Sequence, residues 1–205
     1  MLEKGRIDDV DLAHLRAIRV AVALDVLAQL RTKKYVASGG TYVMMQGRAI
    51  GEELQDRERN GEENPTLELQ DVLPKLPPCD VCAIGASVLS YARLFDNTPI
   101  GVTRAMAWGS QLRITYEGDG IIGAPEFLAA KLGAEFSGTI EMVFEGWDVI
   151  AQGNADLADV ECSPNGLPGG AGYDGSADRM RWIMRNVIAN GGVFLHKTVT
   201  GQVEY

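Results

Sequence analysis

The chain has 205 residues, with 19 Lys and Arg against 28 Asp and Glu, a formal net charge of −9 with both histidines neutral. A hydrophobic share of 46% and a charged share of 23% exclude global disorder, collagen-like repeats and coiled-coil arrays. Domains of this size bury roughly 70% of their unfolded surface, so a core can form without disulfides or metals.

Three cysteines cannot pair completely, and Met1 to Asp11 (MLEKGRIDDVD) lacks the apolar stretch of a signal peptide, so a reducing cytoplasm is the expected location. No run approaches the ~18 apolar residues of a membrane-spanning helix, and no membrane association is expected. Net negative charge repels phosphate backbones, and no segment clusters Lys and Arg with aromatic residues. Direct nucleic-acid binding is therefore not expected.

In chain order, Val20, Leu24 and Leu27 with Ala23 between them predict an amphipathic helix over Asp8 to Leu30, capped by Asp8 or Asp11. Arg31, Lys33 and Lys34 suit its negative C-terminal end. Tyr35 to Val43 holds two β-prone runs split by Gly39-Gly40, which reads as a short hairpin or extended corner. From Gly51 to Asp71 the acids Glu52, Glu53, Asp56, Glu58, Glu62, Glu63, Glu68 and Asp71 outnumber Arg57 and Arg59. That stretch reads as a solvated helix end and a loop, either a plain charged surface or an acidic face for a basic partner.

Leu73-Pro74-Lys75-Leu76-Pro77-Pro78 forms a stiff lead-in. Asp80 is then the expected N-cap of a helix burying Ile84, Val88, Tyr91 and Phe95. Further helices are predicted over Val102 to Ile114, Pro125 to Leu132 and Thr139 to Trp147. Gly153 to Gly175, rich in Gly, Pro, Asn and Asp, reads as a long irregular loop, a lid or a linker. Ser176 caps a helix with Met180, Ile183, Met184, Val187 and Ile188 on one face, ended by Asn190-Gly191-Gly192. Val193 to Leu195 and Thr198 to Tyr205 are expected to be extended and to pair with the Tyr35 to Val43 region. The predicted architecture is a single α+β domain over residues 1–205, mainly helical. It has five to six helices and a small antiparallel β element near the N-terminal third and the C-terminus.

Cys79-x-x-Cys82 is the motif with a specific chemistry. In a first helical turn, unpaired N–H groups would favour a thiolate, as in redox dithiols. A zinc site would need Cys162, His14 or His196 as further ligands, and a cysteine hydrolase would need His196 as base. The alternative is two small half-buried apolar residues at a tightly packed helix start. The glycine-rich stretch lacks the Lys and Ser/Thr of a phosphate-binding loop, and the acids around it lack the spacing of a calcium loop. No cofactor is expected, zinc being the one considered.

Ala23 to Val43 (ALDVLAQLRTKKYVASGGTYV), Cys79 to Tyr91 (CDVCAIGASVLSY), Thr139 to Trp147 (TIEMVFEGW) and Met180 to Phe194 (MRWIMRNVIANGGVF) together resemble a family of uncharacterised proteins of tailed bacteriophages and prophages. The core formed by Cys82, Gly85 and Ala86 also resembles short domains of unknown function in actinobacteria and their phages. The resemblance implies a phage origin and supplies no catalytic residue. With the acidic charge it leads to the expectation of a non-enzymatic accessory protein in the host cytoplasm. Such a protein would occupy a basic host or defence protein, as an anti-defence inhibitor does, through Glu52, Glu53, Asp56, Glu58, Glu62 and Glu63. The alternative is a thiol-dependent enzyme or zinc-stabilised domain centred on Cys79 and Cys82.

Overall fold

Leu89 and its neighbours build the helix on which the rest of the molecule is arranged. The computed structural model describes residues 9–39, 42–45, 48–63, 65–75, 78–95, 100–104, 112–116, 124–145, 176–198 and 201–204. Among them run α1 (Asp9–Arg31), β1 (Tyr35–Ala37), β2 (Val43–Met45), α2 (Arg48–Arg59), β3 (Leu67–Glu68), the single turn α3 (Leu69–Val72) and a 3-10 turn (Leu73–Lys75). Then follow β4 (Cys79–Val81), α4 (Ala83–Phe95), β5 (Ile100–Arg104), β6 (Leu112–Tyr116), α5 (Ala124–Leu132), α6 (Ala134–Glu145), α7 (Ser176–Ala189), β7 (Leu195–Thr198) and β8 (Gly201–Glu204). The fold is α+β and predominantly helical.

Every residue of α4 from Ala83 to Ser90 is buried, as expected of a helix apolar on nearly all sides. It packs against α1, α5 and α6, while α7 lies along α1 and α6. Val22, Val26, Ile84, Leu89, Leu128, Leu132, Ile140, Met180, Ile183 and Phe194 are the heart of this core. The buried stripe of α1 is Val22, Ala23, Val26 and Leu30, rotated from the Val20, Leu24 and Leu27 stripe read in the sequence. Leu24 stands 53% exposed. From Val20 to Leu30 the helix is apolar in several directions, so periodicity alone does not set which face turns inward.

A buried cation does much to place that face. Arg19 on α1 donates from Nε to the Leu132 carbonyl at 2.9 Å and from Nη1 to the Gly192 carbonyl at 3.3 Å. Its guanidinium also lies 4.2 Å over the Phe136 ring. One planar side chain thus joins the end of α5, the turn after α7 and an aromatic of α6, a use that suits Arg better than Lys. Burial lowers its pKa to about 10, with repulsion from Arg16 adding to the shift.

α1, α2 and α7 end alike. In each, an N–H three residues past the helix bonds back five residues: Lys34 to Gln29 at 2.9 Å, Glu62 to Arg57 at 3.1 Å and Gly192 to Val187 at 2.8 Å. A left-handed residue precedes each donor: Lys33 at φ 58°, Gly61 at 90° and Gly191 at 60°. Gly192, at φ 90°, is itself left-handed, and a Cβ there would lie 2.3 Å from the Arg16 carbonyl oxygen. Asn190-Gly191-Gly192 therefore stops α7 as read in the sequence and also lets the turn touch α1.

The strands correct several expectations. β1 and β2 do not pair as a hairpin; β4 lies between them, parallel to β1 and antiparallel to β2. The described ends of the predicted Val102 to Ile114 helix are strand: β5 and β6 pair antiparallel, with Val102 opposite Ile114, and β3 joins the other edge of β5. β7 and β8 pair with each other, Leu195 opposite Glu204, and not with Tyr35 to Val43. α6 begins at Ala134, five positions before the predicted start, since Gly133 alone separates it from α5. The Gly153 to Gly175 loop lies outside the described residues.

Candidate functional site

Two sets of residues singled out in the sequence occupy different surroundings. The acids lie on α2, which begins at Arg48 and so holds more of the acidic segment in helix than predicted. Leu54 is fully buried and anchors α2 from below. Glu52, Glu53, Asp56 and Glu58 on the helix, and Glu62 and Glu63 in the turn beyond it, are all exposed. Two cations interrupt the face. Arg57 reaches Glu53 at 3.5 Å and Glu62 at 3.8 Å and donates to the Thr66 carbonyl at 3.3 Å, while Arg59 meets Asp56 at 3.2 Å. These pairs are solvent-exposed and contribute about 0–1 kcal/mol each, so they shape the surface more than they stabilise it.

Cys79 and Cys82 are both enclosed, at 1% exposure. Cys79 belongs to β4, between Tyr35 of β1 and Met45 of β2 in register. Asp80 is therefore a strand residue and not the helix cap. The cap is Cys82. Its carbonyl accepts from the Ala86 N–H at 2.9 Å, and its Sγ accepts from the Gly85 N–H at 3.4 Å, the two bonds that define an N-cap. Its own N–H donates to the Tyr42 carbonyl at 3.4 Å. A Cβ on Gly85 would lie 1.5 Å from that same Tyr42 oxygen. The chain between β1 and β2 thus crosses the start of α4 in a gap that glycine alone leaves open.

The position of Cys82 contains opposing influences on its thiol. Burial pushes it up to about 12; the N–H groups of Gly85 and Ile84 pull the other way, and the Glu145 and Glu141 carboxylates of α6 add to the rise. Desolvation wins over the helix start. Cys79 is pushed up to about 11 by burial and by Asp80, against a smaller opposite effect of Lys34. Nearby, the buried Tyr35 and Ser90 hydroxyls face each other at 3.4 Å, and burial also raises the tyrosine pKa. A thiolate nucleophile or ligand needs the opposite environment, electropositive and partly open to solvent.

Of the residues proposed to join these thiols, one has a described side chain. His14 is exposed on α1. Of His196 only the backbone is described, in β7 opposite Val203, and Cys162 lies outside the described residues. Among the described residues no group of three or more His, Cys, Asp or Glu side chains is placed to hold a metal ion. No described helix is long and apolar enough to cross a membrane. Arg19 and Asn186 were not singled out for structural roles in the sequence, whereas Gly85, with Ala86, reads there as a place where another element can approach the helix closely, as the chain at Tyr42 does. A charged residue within the apolar α1 pattern is the signal that marks Arg19. Nothing local marks the cap role of Cys82, because cysteine is not a favoured capping residue.

No family model, no curated protein and no solved structure matches the chain.

Proposed function

We propose that the chain is a phage-encoded accessory protein that acts without catalysis. It binds a basic host or defence protein in the bacterial cytoplasm through the acidic face of α2. The observation that carries the reading is that Glu52, Glu53, Asp56 and Glu58 on a helix held down by the buried Leu54, and Glu62 and Glu63 in the turn that ends it, are all exposed. A helix fixed from below presents its charges as a patterned surface, and such a surface speeds encounter with an oppositely charged partner. The phage assignment rests on the sequence resemblance. Inhibition of a defence factor is the outcome that such occupation would have.

The test is affinity capture from lysate of the bacterial host, comparing the natural chain with a variant carrying Glu52→Lys, Glu53→Lys, Asp56→Lys and Glu58→Lys. The expected result is retention of a basic protein by the natural chain and its loss by the variant. Reversing the exposed Asp11 and Glu135 leaves capture intact. Equal capture by the α2 variant, folded by circular dichroism, overturns the reading.

A further inference from the structure

No further inference is drawn: the strongest candidate, the outward stripe of α1 formed by Ala17, Val20, Leu24 and Ala28, is an apolar face for which nothing among the described residues shows what covers it.

Discussion

At the scale of single residues, the α4 start depends on an atom that is absent. With the Tyr42 oxygen 1.5 Å from where a Cβ would stand, Gly85→Ala forces backbone to move against backbone, and the crossing chain has nowhere soft to yield. Its expected cost is about 3 kcal/mol or more, read as a fall in the urea midpoint. Gly138 in α6 is the matched contrast, since a Cβ there meets nothing within 4 Å. Gly138→Ala is expected to stabilise by about 0.5–1 kcal/mol through helix propensity and reduced freedom of the unfolded chain.

The two thiols make a prediction of opposite character, about conditions instead of sequence. An unfolded thiol ionises near ~8.5, whereas folded Cys79 and Cys82 do so near 11 and 12. The fold therefore favours the protonated form. That contribution is complete below about pH 8.5 and is lost as pH rises towards the folded values, at up to about 1.4 kcal/mol per pH unit for each thiol. Denaturation midpoints measured from pH 8 to 10.5 should fall, and fall less in the Cys79→Ala, Cys82→Ala variant. At pH 8 iodoacetamide should leave both cysteines unmodified in the native protein and label both in urea, as followed by peptide mass. Prompt native labelling of Cys82 would instead favour the thiol-enzyme alternative.

Among elements, long-range polar contacts do what helix faces alone do not. Arg19 holds the Leu132 and Gly192 carbonyls together, and Arg179 on α7 donates to the Phe144 carbonyl at the end of α6 at 2.8 Å. Helix C-termini carry unpaired carbonyls and partial negative charge, so a guanidinium there answers both needs. Arg19→Met is expected to cost about 2–4 kcal/mol, by leaving buried acceptors unmet. Arg19→Lys should recover only part of this in the same denaturation assay, because an ammonium lacks the planar fork. Asn186 has a comparable local task. Its Oδ1 accepts from the Leu195 N–H at 2.9 Å and its Nδ2 donates to the Leu195 carbonyl at 2.8 Å, so an amide on α7 pins the start of β7. Asn186→Ala should lower global stability by about 1–2 kcal/mol and speed amide exchange at Leu195, seen by hydrogen exchange.

These contacts explain what could be read beforehand. Periodicity located α4, α5 and α7 because their apolar residues recur on one side or all round. It gave the wrong state for the described ends of Val102 to Ile114. There the signals were two alternating runs, Ile100-Gly101-Val102-Thr103-Arg104 and Leu112-Arg113-Ile114-Thr115-Tyr116, each short enough to be hidden in a helical window. β4 was beyond reach for another reason: three residues after a double proline become a strand only when β1 and β2 supply partners from far upstream. The six proposed contact acids were legible as exposed and Cys82 as part of a packed helix start, whereas the strand position of Cys79 was not. The burial that raises both thiols comes from the packed fold, and the Glu145 and Glu141 carboxylates that add to the rise at Cys82 lie on α6, which no local pattern links to it.

For the molecule as a whole, charge and stability are separable. The core rests on apolar burial around α4, while the acids of α2 stand outside it, so the four reversals used in the capture test should shift the denaturation midpoint little. Salt acts on the association instead. If α2 steers a basic partner, the association rate should fall several-fold between low and physiological ionic strength, with the dissociation rate less affected. Surface-plasmon measurements across a salt series read both rates.

The interleaving of β1, β4 and β2 also bears on how the chain is made. The middle strand is separated from its two neighbours by α2, β3, α3 and the proline-rich lead-in. While the polypeptide grows from its N-terminus, β1 and β2 emerge as two borders awaiting a centre, and neither can satisfy the other. Sheet closure therefore waits until Cys79 to Val81, directly ahead of α4, have been made. A nascent chain arrested before Cys79 holds both borders unpaired, and quality-control factors would meet it in that form.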